Sequence, residues 1–144
     1  MNDKLKPKKV TKIVYNFLIL FAAILAFTRW MSVFNNDIIV INAEINSHIS
    51  NFALSLVFYL GVGFTWILQK KTFHKIILLG VFIIVANILC ETVMGFMNTT
   101  DILDAVYGIV GTLIGFCYFL VINKYGLEVI HDESWVIYKL ANRN

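Results

Sequence analysis

Four long apolar runs, separated by short polar stretches, organise the chain; they fall at about residues 13–30, 51–68, 76–97 and 102–122. Each is about 18–22 residues long, enough to cross a ~30 Å hydrocarbon layer as a helix rising 1.5 Å per residue. Lipid offers no partner to a backbone amide or carbonyl, so helices satisfy these groups internally; no alternating ten-residue pattern points to a barrel. The pattern predicts an all-α, integral membrane four-helix bundle, one membrane domain over residues 1–144. The first run reads as an uncleaved anchor, because it is long enough to span and no small-residue cleavage site precedes a soluble domain.

Residues 31–50 form the longest expected connection, which holds Asp37, Glu44 and an apolar β-branched stretch at 38–41 suited to a short strand or an interfacial segment. Residues 69–75 make a basic turn and Asn98, Thr99 and Thr100 a short polar one. The tail, residues 123–144, is mixed in charge, and its cluster at 135–138 suits a short helix on the membrane surface.

Composition strengthens the membrane reading: 59% of residues are hydrophobic, 15% are charged and mean hydropathy is +0.77, too apolar for a soluble domain of this length. The net charge of +3 does not indicate nucleic acid, because the cations are placed by topology. Five lysines precede the first run, three lie in the 69–75 turn, and Lys124, Lys139 and Arg143 lie in the tail. In a four-span model these eleven of twelve cations share one side, and Arg29 alone takes the other. The positive-inside rule then makes both termini and the 123–144 tail cytoplasmic, in the inner (cytoplasmic) membrane of the cell. Residues 31–50 and 98–100 would face outward.

The candidate chemistry gathers at the outward ends. Glu91 lies inside the third run on one face with Asn87 and Gly95. A carboxylate there is costly unless it faces the bundle or water, and it marks a function by default; the alternative is a protonated Glu91 acting as hydrogen-bonded glue between helices. Asp101, Asp104, Gly108, Gly111 and Gly115 follow at helical steps on a single stripe. Asp101 and Asp104 suit the N-cap and third position of the fourth helix. Gly108, Gly111 and Gly115 suit close helix packing, which would hold Asp104 and its helix against the third helix and Glu91. His48 opens the second run on the same side, as an interfacial residue or at the rim of an acidic pocket. Cys90 and Cys117 sit at depths differing by about 10 Å, which precludes a disulfide and leaves them as buried packing residues. No metal-ligand spacing, phosphate loop or nucleophile elbow occurs, so neither a cofactor nor a metal is expected.

At these residues the chain resembles the VanZ-like family of small polytopic membrane proteins. Glu91 takes the position of that family's late-helix Glu, Asp101 and Asp104 its paired Asp, Gly111 and Gly115 its glycines, and His48, followed by Phe52, its earlier histidine. Met94, Asn98 and Gly108 stand where the family pattern has Gln, Arg and Asn. The resemblance covers residues 48–118. It implies a non-enzymatic protein that engages an envelope lipid or glycolipid, linked to susceptibility to the glycopeptide antibiotic teicoplanin. Two alternatives stand beside it: a membrane-embedded enzyme using a carboxylate pair as acid and base on a lipid-linked substrate, and an accessory subunit that oligomerises or meets a membrane partner through its glycine stripe.

Overall fold

The computed structural model describes residues 4–34, 42–69, 72–93 and 101–130. Strand β1 (Lys4–Pro7) leads into α1 (Lys9–Phe34), α2 (Ala43–Leu68), α3 (Phe73–Val93) and α4 (Ile102–Val121); a π-helical turn at Ile122–Gly126 then leads into β2 (Leu127–Ile130). Among the described residues, four helices are long and apolar enough to cross a membrane. Their outer faces carry Phe17, Leu20, Phe27, Phe58, Phe82 and Leu113, all exposed, as expected where the surroundings are lipid.

The helices differ from the hydropathy pattern at their ends. Helix α1 continues to Phe34, and α2 begins at Ala43 rather than at residue 51, so most of the expected 31–50 connection is helix. The reason lies in the first turns of α2. The Asn42 side chain accepts from the Ile45 amide at 2.8 Å, a helix cap. Asn46, His48 and Ile49 then turn inward and are buried. Polar residues that face a bundle interior look like a loop to any hydropathy measure. The segment 38–41, the Asn98–Thr100 turn, Met94, Gly95 and the 135–138 cluster lie outside the described residues.

The fold is helical as expected, with one small addition. β1 and β2 pair antiparallel, with Lys4 opposite Ile130 and Pro7 opposite Leu127. Each strand has four residues, and the pairing joins the two ends of the described chain, so no local turn signal announces it.

Helices α2 and α4 form the central pair; α1 packs on α2, and α3 packs mainly on α4 and only lightly on α2. Tyr59 of α2 is the keystone. Its ring is fully buried and meets Phe119 of α4 edge-on at 5.3 Å. Its hydroxyl donates to the Ile76 carbonyl of α3 at 2.9 Å. The ring occupies a slot between glycines of two other helices: a Cβ on Gly80 would lie 3.1 Å from the Tyr59 oxygen, and one on Gly115 would lie 2.7 Å from the ring.

The glycine stripe of α4 therefore faces elsewhere than expected. A Cβ on Gly111 would collide with the backbone carbonyl of Phe52, and Gly115 faces Tyr59; both partners are on α2. Gly108 alone meets α3, through the amide of Asn87. The stripe draws α4 against α2 rather than against α3 and Glu91, because α2 supplies the backbone and the large ring that only glycine admits.

The cysteine expectation is corrected as well. Cys90 and Cys117 are free and exposed.

Candidate functional site

The site lies at the end of the helices opposite the β ribbon, where α1 and α3 finish and α2 and α4 begin. Asp101 caps α4: its side chain accepts from the Leu103 amide at 2.9 Å. Asp104 takes the third position of the helix, as its spacing predicts, and its carboxylate turns towards α2. His48 Nδ1 stands 2.9 Å from Asp104 Oδ1 and 3.8 Å from Asp101 Oδ2. His48 is buried, so it sits inside the cluster and not at a rim. Its ring also lies 5.4 Å from that of Tyr107. This contact between Nδ1 and the Asp104 carboxylate fixes the orientation of the imidazole and ties α2 to α4.

Glu91 joins the cluster from α3. Its Oε2 accepts from the Asp101 amide across a long 3.4 Å. His48, Asp101 and Asp104 thus meet through side chains, whereas Glu91 reaches them through the backbone that Asp101 leaves open at the start of α4. Glu91 meets the start of α4 at Asp101, but Asp104 points to α2.

Two further polar groups continue the site. Asn87, one turn deeper than Glu91, donates to Ser55 Oγ of α2 at 3.0 Å and to the Ile83 carbonyl at 2.9 Å. On the other flank, Asn46 Nδ2 donates to Ser32 Oγ of α1 at 3.0 Å, and Arg29 Nη1 donates to the same Ser32 oxygen at 3.2 Å. Ser55, Asn46, Ser32 and Arg29 escape a reading of the sequence. Ser55, Asn46 and Ser32 are each a single polar residue whose partner is on another helix, Arg29 bonds Ser32 within its own helix, and only Asn87 is marked in advance, by its spacing from Glu91.

Because α2 and α3 touch only lightly, a cleft of about 370 Å³ opens between them, lined by Asn51, Leu54, Ser55, Phe82, Asn87 and Glu91 among others. Its walls are mostly apolar. Its polar lining comes from Asn51, Ser55, Asn87 and Glu91. Cys90 also reaches it. Among the described residues no three of His, Cys, Asp and Glu are grouped to hold a metal ion.

The arrangement offers two kinds of chemistry. Glu91 and the Ser55–Asn87 pair present hydrogen-bonding groups to a molecule in the cleft. The His48–Asp104 couple sets a carboxylate against a buried imidazole, the geometry by which a carboxylate orients a histidine. Comparison with protein-family models, with curated proteins and with solved structures finds no match to this chain.

Proposed function

We propose that this chain is a multi-pass protein of the cytoplasmic membrane, with cytoplasmic termini, that engages a cell-envelope lipid or glycolipid at its outward end, as a divergent VanZ-like protein. The observation that carries the reading is the cleft between α2 and α3, about 370 Å³ in volume, within the range of small-molecule sites. Leu54, Phe58 and Phe82 suit a hydrocarbon chain, and Glu91 at the level of the helix ends suits hydroxyl or ammonium donors of a headgroup. A membrane carboxylate beside such a cleft is more readily explained by a ligand than by packing.

Identification of co-purified lipids by native mass spectrometry tests this. The wild-type chain is expected to retain a specific lipid or glycolipid above its abundance in the membrane. Glu91→Gln and Ala86→Trp, which fills the cleft, are each expected to lose it while the protein stays folded. Retention of the bulk lipid mixture alone, or retention unchanged by both variants, overturns the proposal. The VanZ-like reading adds that expression in a susceptible host raises tolerance to teicoplanin, and an unchanged inhibitory concentration removes that part.

The 2.9 Å contact of His48 with Asp104 favours a second reading, acid–base catalysis on a lipid-linked substrate. Under it, Asp104→Asn leaves the retained lipid in place but stops its conversion.

A further inference from the structure

A second cleft lies at the other end of the molecule, at the foot of α1 and α4. It measures about 250 Å³, and Lys8, Lys9, Val10, Val14, Val121 and Tyr125 are among the residues that line it. We propose that it binds an anionic phospholipid, with the headgroup phosphate between Lys8 and Lys9 and one acyl chain along Val10, Val14 and Val121. The site is separate from the Glu91 cleft and rests only on the four helices crossing a membrane.

Three observations support this occupant. The first is charge. Both ionisable side chains of the lining other than tyrosine are lysines, both are exposed, and no carboxylate lines the cleft. Lys124 adds a third cation beside it, its ammonium 5.1 Å from the centre of the Tyr125 ring.

The second is that this end is built. The Gly126 carbonyl accepts from the Lys8 amide at 2.9 Å and from the Thr11 hydroxyl at 2.8 Å. The Tyr118 hydroxyl donates to the Thr11 carbonyl at 3.1 Å. These bonds fix the start of α1 to the end of α4, so the two lysines are held at a set place above the apolar walls. Gly126 is required there, because a Cβ would come within 2.7 Å of Ile122 and 2.8 Å of Thr11.

The third is depth. Lys8 and Lys9 stand at the very start of the helix, where a headgroup lies, and Val14 is about 8 Å further in, where acyl carbons lie. A free anion would use the lysines and leave the apolar walls unfilled; a lipid uses both.

The test uses the purified full chain in neutral detergent. Native mass spectrometry follows retention of dioleoyl phosphatidylglycerol against dioleoyl phosphatidylcholine, and thermal stability is read in parallel with glycerol phosphate as the soluble counterpart. Phosphatidylglycerol is expected to be retained in preference. Lys8→Gln/Lys9→Gln is expected to weaken that retention about 30-fold, about 1 kcal/mol for each lysine removed. Lys75→Glu alters net charge by the same amount at the same end, away from the cleft, and is expected to leave retention unchanged. Val121→Trp, which fills the apolar wall without altering charge, is expected to lower retention. Equal retention of phosphatidylcholine overturns the proposal, and so does an equal loss in Lys75→Glu, which would mean diffuse attraction. Stabilisation by glycerol phosphate as great as by the lipid, or retention untouched by Val121→Trp, overturns it too, since either leaves the acyl chain without a role.

Discussion

His48 and Asp104 show what a single contact can carry. Hydropathy places His48 in a connection and Asp104 at the start of a helix, and both are drawn inward, the side chains 8% and 18% exposed. A pair so placed is expected to couple energetically, because each alone would leave a buried polar partner unmatched. In a double-mutant cycle of His48→Ala and Asp104→Ala, the single variants are expected to lose about 1–3 kcal/mol each. The double variant should lose less than their sum by about 0.5–3 kcal/mol, read from unfolding in detergent. Additive losses would mean that the two side chains do not depend on one another. The identity of these residues was legible in the sequence: His48, Glu91, Asp101 and Asp104 do meet at one end. Their pairing was not legible. Spacing along one helix places Asp104 on a stripe, but whether that stripe faces α2 or α3 depends on how three helices pack, which no local pattern encodes.

At the scale of elements, the decisive joint is α2 against α4. Gly111 faces the Phe52 carbonyl, and Gly63 of α2 faces the Phe119 ring, where a Cβ would lie 2.5 Å from ring carbons. Two helices that exchange glycines in this way cannot separate slightly to admit a side chain, because Tyr59 and Phe119 are already fully buried between them. Gly111→Leu is expected to cost more than the 1–3 kcal/mol usual for overpacking a core, or to abolish folding. Gly61→Ala is its control, since nothing lies within 4 Å of a Cβ there, and it is expected to leave the melting temperature unchanged or raise it. Melting curves that shift alike for the two would dismiss the joint. The four helices themselves were legible, since runs of apolar residues long enough to span can be little else. Their lengths were not, because Asn46 and His48 are polar in sequence and interior in space. The β ribbon was not legible either, being two short segments paired across almost the whole chain.

For the molecule as a whole, the two clefts stand at opposite ends, and the sides they face depend on orientation. Four spans put both ends of the described chain on one side, with Lys8, Lys9, Lys75 and Lys124, while Glu91, Asp101 and Asp104 share the other. Cations resist translocation, and among the described residues every Lys falls on the ribbon side of this arrangement, with Arg29 alone at the other end. The basic cleft would then meet the cytoplasmic leaflet, whose anionic lipids attract it, and the Glu91 cleft would meet the envelope side. Single cysteines at Glu44 and Lys75, both exposed, distinguish the alternatives once Cys90 and Cys117 are replaced by alanine, a change that their exposed positions should tolerate. In intact cells an impermeant thiol reagent is expected to label the cysteine at 44 and to label the one at 75 only after the membrane is opened. Labelling in the reverse order would turn the molecule over. The acidic cluster would then lie in the cytoplasm, out of reach of any envelope lipid on the outer surface, and the reading of the Glu91 cleft would fall. The phospholipid site at Lys8 and Lys9 would survive as chemistry but would have to find its ligand in the opposite leaflet.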